Sequence, residues 1–328
     1  MMGARVNLQQ LRYLCAVVDQ GFNLSRAAQA LRSSQPGLST QIRALEQEVG
    51  AEVLLRRRGR IVGLTEPGSA IVDVARRMLR DAENLRRIGS GFEKKTQGTL
   101  SLGMTHTHAR YGLIQIIDRF RKRNPDVQLI LREASPPQVF DLVSSGAVDI
   151  GVVNEIPTDS RKVVTLACPH SDTNDLRRTV VVPDGHPLLA RKRLTLRDLA
   201  AQPLIMMDNT TAGARAVTQA FDEAGLEPRI VMRANAPDVI KAYVGLGFGV
   251  AVLPAVAYDA KVDRGLKAIE ASQLFGTGIL AIALDPNAYL TAFVYEFVRL
   301  ITPSWTHETI DARLNEARSR PPGKRSTP

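Results

Sequence analysis

The stretch from Phe22 to Leu45, FNLSRAAQALRSSQPGLSTQIRAL, constrains this chain more than any other. Ala27, Ala28 and Leu31 form one apolar stripe at helical spacing, and Leu38, Ile42, Leu45 and Val49 form a second. Ser33, Ser34 and Gln35 cannot belong to a continuous apolar helix. Pro36 suits the first turn of a new one, where a missing N–H costs nothing. Two short helices joined by a tight polar turn follow, which is a helix-turn-helix. The second helix starts with Ser34, Gln35 and Pro36 and leaves Ser39, Thr40 and Arg43 to solvent, side chains suited to phosphates and base edges in a groove. On this pattern alone, a helical hairpin with a solvated polar face fits as well.

The flanks favour the nucleic-acid reading. LLRRRGRIVGL at 54–64 sets Arg56, Arg57, Arg58 and Arg60 around Gly59 between apolar runs. That spacing predicts a β-hairpin wing with its cations against phosphates. The net charge of +10 is unevenly spread, with 16 basic against 9 acidic residues in 1–95, 5 against 2 in 310–328, and an exact balance between. A polyanionic partner therefore belongs at the N-terminal end.

LQQLRYLCAVVDQ at 8–20 supplies a further helix of this first unit, which spans 6–64. Beyond it Pro67 opens a long amphipathic helix carrying Ile71, Val74, Ala75, Met78, Leu79, Ala82, Leu85 and Ile88 near heptad spacing. Such a helix could pack on its own domain, but pairing with a second copy is favoured, because palindromic half-sites require a two-fold dimer. Residues 65–97 then form a linker and dimerisation helix, ending in a hinge at Gly89, Gly91 and Gly98.

From residue 98 short strands alternate with helices, which implies crossover connections and mostly parallel sheets. Two such series make an α/β region at 98–305 with two lobes, the first at about 98–171 and 273–305, the second at about 172–272. A cleft between the lobes would bind a small ligand. Residues 306–328 read as a basic tail, ending in a Pro-rich segment without fixed structure.

Thr105, His106, Thr107 and His108 fall between a strand end and a helix start, where free N–H groups favour an anion. The threonine hydroxyls either donate to such an anion or simply cap the helix. His106 and His108 would also suit a metal on a strand, but no third ligand is grouped with them. The two cysteines, Cys15 and Cys168, make neither a disulfide framework nor a metal site. A nucleophile elbow, a phosphate-binding glycine loop and a zinc motif are all missing, which argues against an enzyme. No secretory signal or membrane-spanning apolar stretch occurs, which argues against an exported solute-binding protein.

SRAAQALRSSQPGLSTQIRALEQEVGAEVLLR followed by LTEPG resembles the winged helix-turn-helix of LysR-type transcriptional regulators, and the resemblance runs over essentially the whole chain. In the second half, MTHTHARYGL, PDVQLILREASPPQV, SGAVDIGVVNE and DVIKAYVGLGFGVAVLP are similar to the CysB branch of that family, regulators of sulfur assimilation and cysteine biosynthesis. The resemblance implies an α/β chain with an N-terminal winged helix-turn-helix, a linker helix and a two-lobed, periplasmic-binding-protein-like effector domain. It implies a cytoplasmic regulator, not an enzyme, with no cofactor or metal. Its partners would be double-stranded promoter DNA, further copies in a homodimer or homotetramer, and RNA polymerase, with no membrane. Its effector would be a sulfate-like anion or acetylserine, held by Thr105, Thr107, His108, Asn154, Thr210 and Thr211.

Three positions depart from the branch pattern. His108 replaces a glutamine, Asn154 a threonine, and Ala212 the threonine of a TGR motif, so Thr210 or Thr211 would have to supply the substitute hydroxyl. A protonated His108 would make anion binding pH-dependent. A regulator of another pathway with a non-sulfur effector is the alternative.

Overall fold

The computed structural model describes residues 6–57, 59–93, 98–156, 163–168 and 176–319. The chain divides into two compact units, Met1–Glu93 and Lys94–Pro328.

In the first unit α1 (Leu8–Asp19) starts from an Asn7–Gln10 capping box, and α2 (Leu24–Ala30) starts from Asn23. Arg32 turns the chain with φ 50°, a left-handed conformation that breaks the helix. Ser34 then caps α3 (Gln35–Val49), its hydroxyl accepting from the Gly37 amide at 3.2 Å. Strands β1 (Leu54–Arg57) and β2 (Arg60–Leu64) pair antiparallel as the wing, and α4 (Glu66–Glu93) follows as a helix of 28 residues. Leu14, Ala27, Leu38, Ile42, Leu45 and Val72 close one core among these elements. Val49, expected to join them, is 36% exposed because it sits on the last turn of α3. Gly89 and Gly91, expected in a hinge, lie inside α4, while 94–97 fall outside the described residues.

The second unit contains two five-stranded sheets. The first is built from β3 (Gly98–Met104), β4 (Val127–Glu133), β5 (Ile150–Val153), β6 (Val164–Cys168) and β12 (Leu280–Leu284) in the order β4-β3-β5-β12-β6. The second uses β7 (Arg178–Pro183), β8 (Pro203–Met207), β9 (Arg229–Ala234), β10 (Val250–Pro254) and β11 (Leu266–Glu270) in the order β11-β7-β10-β8-β9. Each sheet runs four strands one way and one strand against them: β12 opposes β5 and β6, and β7 opposes β10 and β11. The reversed strand is in both cases the one on which the chain enters from the other lobe. The mostly parallel sheets expected from the sequence are thus interrupted once each, and this reversal shapes the site described below.

Helices cover the sheets: α5 (Ile114–Arg123) and α11 (Ala292–Ile301) on the first, α7 (Leu196–Ala200), α8 (Ala212–Glu223), α9 (Pro237–Gly245) and α10 (Ser272–Phe275) on the second, and α6 (Pro136–Ser144) against β5. Gly151 of β5 lets α6 approach, since a Cβ there would stand 2.8 Å from Val139 and Val143. A π-helical turn at His108–Gly112 precedes α5. Part of the expected tail folds: α12 (His307–Ser319) buries Ile310 and Leu314 in the core of the first lobe, and 320–328 lie outside the described residues.

Candidate functional site

Two regions concentrate chemistry, one in each unit. In the first, α3 presents its N-terminal turns. Gln35, Thr40 and Arg43 are exposed and Ser39 is half-buried. The Gln35 side-chain oxygen accepts from the Ser25 hydroxyl at 3.1 Å, which ties the recognition helix to α2. Ser34 spends its hydroxyl on the cap, Pro36 occupies the first turn, and the Thr40 hydroxyl donates to the Pro36 carbonyl at 2.9 Å.

The wing holds Arg57 and Arg60 exposed, whereas Arg58 lies outside the described residues. Arg56 is different. Its guanidinium donates to both oxygens of Glu46 on α3, at 2.9 and 3.2 Å, and Glu46 also accepts the Val53 and Leu54 amides at 2.9 and 3.0 Å. Burial pushes the Glu46 carboxyl up, but Arg56 and the two amides outweigh it and hold the group below its ordinary value. Arg56 therefore pins the wing to the recognition helix, with its charge already matched. Glu46 escaped the sequence reading because its partners are set by the fold rather than by spacing.

The second region is a cavity of about 220 Å³ between the lobes. Its wall is made where strands end: Thr105 follows β3, Ala134 follows β4, Asn154 follows β5, Thr210 comes after β8 and Asn235 follows β9. Carboxyl ends of parallel strands and helix starts converge there, as ligand sites of α/β sheets do. α6 begins with Ser135 and Gln138 on the wall, and α8 with Thr211 and Gly213.

Five of the six residues expected at this site, Thr105, Thr107, Asn154, Thr210 and Thr211, line the cavity together. Neither Thr105 nor Thr107 spends its hydroxyl on a described residue, and Thr107 makes no side-chain cap, so the capping role open to them is not used. The Asn154 carbonyl oxygen is buried without a hydrogen-bond partner among the described residues. The Thr211 hydroxyl donates to the Asp208 carbonyl at 3.3 Å and accepts from the Ala214 amide at 3.2 Å. With its proton so committed, Thr211 has none to give an anion, and Thr210 is left as the substitute hydroxyl.

The sixth residue, His108, is a correction. Its ring is fully buried at the start of the π-helical turn and does not line the cavity, and burial pushes its pKa down to about 4. A neutral imidazole cannot supply the positive charge expected of it. His106 lines the wall in its place, 3.0 Å from Glu133 of the first lobe and 3.2 Å from Asp238 of the second. Glu155 and Arg215 form a second ion pair across the lobes.

Of the lining residues that the sequence does not point to, Arg178 carries the charge that matters most. Arg178 is 4% exposed, its Nε has no hydrogen-bond partner, and no carboxylate pairs with it among the described residues. It opens β7, and because β7 is the reversed strand, its first residue stands opposite Pro254 at the carboxyl end of β10. In an all-parallel sheet a strand's first residue would lie at the far end. A larger cavity of about 600 Å³ opens beside Tyr111, but its buried Lys241 is paired with Asp263 at 2.7 Å and donates to the Ala257 carbonyl at 2.6 Å. The smaller cleft is the one with unmet polar groups.

Residues 8–69 match the bacterial regulatory helix-turn-helix proteins of the lysR family, and residues 93–306 match the LysR substrate binding domain. The chain belongs to the LysR family. It is a DNA-binding transcriptional regulator, and the relatives that share its length are regulators rather than enzymes. The transcriptional regulator CysB of Burkholderia cenocepacia is 41% identical over 94% of this chain and 97% of its own. The regulator SsuR of the same organism is 40% identical over 95% of this chain and 100% of its own. Among solved structures, the cofactor-binding domain of the Cbl transcriptional regulator superposes with a TM-score of 0.62 at 29% identity, over 67% of this chain and 94% of that one. In this LysR-family chain no helix of the described residues is long and apolar enough to cross a membrane, and no cluster of metal-ligating side chains occurs among them.

Proposed function

We propose that this LysR-family regulator controls genes of sulfur assimilation, cysteine biosynthesis or sulfonate use in the cytoplasm, and that a small sulfur-related anion or acetylserine, bound between the lobes, governs it. The support for the sulfur role is the likeness to CysB over 97% of its length and to SsuR over 100% of its length. The observation that carries the effector reading is the convergence of Thr105, Thr107, Asn154 and Thr210 with the starts of α6 and α8 on one small cavity. Hydroxyls, amides and helix N-termini together suit an oxyanion.

For DNA, α3 enters the major groove with Ser34, Gln35, Pro36, Ser39, Thr40 and Arg43 at its leading end, while Arg57, Arg58 and Arg60 lie along phosphates. Two copies joined through α4 set the half-site spacing, with a homodimer or homotetramer as the working form and RNA polymerase as the protein it contacts at the promoter. Ligand binding changes the spacing or bend that the assembly imposes.

Sequencing the DNA that co-purifies with the protein from cells grown with and without sulfate tests this. Enrichment of promoters of sulfur genes that changes with sulfate is expected. Enrichment elsewhere would favour a regulator with a non-sulfur effector, a reading that the departures Asn154 and Ala212 keep in play.

A further inference from the structure

We infer that Arg178 selects for charge in the cleft: its guanidinium is the counter-charge for the acidic group of the effector, so the cleft takes small organic or inorganic anions and rejects their neutral analogues. This rests on the reading of the cleft as the effector site.

A cation removed from water needs a partner. Burying one alone is among the costliest arrangements in a protein, and buried charges are accordingly paired or ligated. Arg178 is buried and among the described residues meets neither carboxylate nor carbonyl through its side chain. The acidic groups nearest the cleft are engaged elsewhere, Glu133 with His106 and Glu155 with Arg215, while Asp208 accepts the Thr210 amide.

Glu133 also lines the cleft, where it faces His106 at 3.0 Å, but the groups packed on Arg178 itself add to the positive potential. A Cβ on Gly213 would stand 2.8 Å from an Arg178 Nη atom, so the guanidinium packs against the first turn of α8. A guanidinium and a helix N-terminus both favour an anion, and here they share one wall. Gly213 is what allows the approach. On the facing lobe Thr105, Thr107 and Asn154 offer neutral groups. A ligand whose acidic end meets Arg178 and whose polar body reaches Asn154 bridges the two lobes.

The test uses the full chain in low-salt buffer, with melting curves and calorimetric titration of sulfate, methanesulfonate, acetylserine and the uncharged acetylserinamide. Arg178→Met keeps the stem and removes the charge, and Gly213→Ala displaces the guanidinium while leaving it in the chain. Anions are expected to raise the melting temperature of the wild type and acetylserinamide to leave it unchanged. Arg178→Met should bind the anions at least about thirtyfold more weakly, as loss of one partner of a buried charge pair does. Without any anion it should melt no lower than the wild type, because an uncompensated cation has gone. Gly213→Ala should bind more weakly as well.

Unchanged anion binding by Arg178→Met, or a lower melting temperature of that variant in anion-free buffer, would overturn the assignment, the latter being the signature of a purely structural arginine. If Asn154→Ala weakens binding and Arg178→Met does not, the cleft stands and the role of Arg178 falls. If no probe binds the wild type, or all bind regardless of either substitution, the cleft reading itself fails and takes the assignment with it.

Discussion

Glu46 of the recognition helix holds Arg56 of the wing through two hydrogen bonds, at 2.9 and 3.2 Å, while its Oε1 also receives the amides of Val53 and Leu54. One half-buried carboxylate thus ties α3 to the first strand of the wing. Glu46→Ala leaves two amides and a guanidinium without their acceptor and should cost about 2 kcal/mol, mostly from the amides, since partly exposed ion pairs contribute little. Urea melts of residues 1–93 would measure it. The Glu46 carboxyl titrates below its ordinary value in the folded chain, so its contribution is complete above the unfolded carboxylate's range and is lost as pH falls through the lower folded value.

The same pairing divides the wing arginines. Arg57 and Arg60 are exposed, so replacing either by alanine should lower the slope of log affinity against log salt by about 1, uniformly across DNA sequences. Arg56→Ala should change that slope less and lower stability instead, because its charge is already matched by Glu46. Arg43→Ala should leave the slope for non-specific DNA nearly unchanged and weaken binding to the preferred site by about 1–3 kcal/mol if Arg43 reads a base. Anisotropy titrations at several salt concentrations separate the three patterns.

His108 gives the effector unit a pH dependence of its own. Burial holds the imidazole neutral, with its pKa pushed down to about 4 against an unfolded value near 6.5. The unfolded chain binds the proton more readily, so stability is full above about pH 6.5 and falls as pH drops through the window down to about 4, by an amount on the order of 3 kcal/mol. His108→Gln should flatten that fall when urea melts at pH 7.5 and pH 5 are compared. The same substitution should leave anion affinity unchanged at either pH, because the His108 ring does not line the cleft.

Lys241 and Asp263 form a buried pair, 8% and 10% exposed at their side chains and 2.7 Å apart, with Ala257 supplying a further acceptor. Asp263→Ala strands a buried ammonium and should destabilise the chain by about 3 kcal/mol, whereas joint replacement by Met and Leu should come close to neutral. Thermal melts of the single and double variants test this.

The helix-turn-helix could be read from the sequence because its signals are local: an apolar period, Ser34 as a cap and Pro36 just inside the helix all act within one turn. The threonines of the cleft were visible for the same reason, at the junction of a strand and a helix start. Arg178 was not, since nothing in RRTVVVP tells that β7 runs against its neighbours, and only that reversal brings a strand's first residue to the ligand-facing rim. His108 is not legible as a core residue, because its burial at the start of a π-helical turn is a local geometry that composition does not announce. α12 reads as tail in the sequence because only Ile310 and Leu314 mark its apolar face among charged neighbours, and their value lies in the distant core they meet.

The most direct test of the central claim is a footprint of the full chain on promoters of sulfur genes from its own genome, at modest ionic strength, with and without sulfate, thiosulfate, methanesulfonate and acetylserine. Protection of two half-sites whose spacing or bend shifts with at least one of these anions, and no longer shifts when Asn154 is replaced by alanine, is the predicted result. Failure to protect any double-stranded site, or a footprint indifferent to every anion, would contradict it.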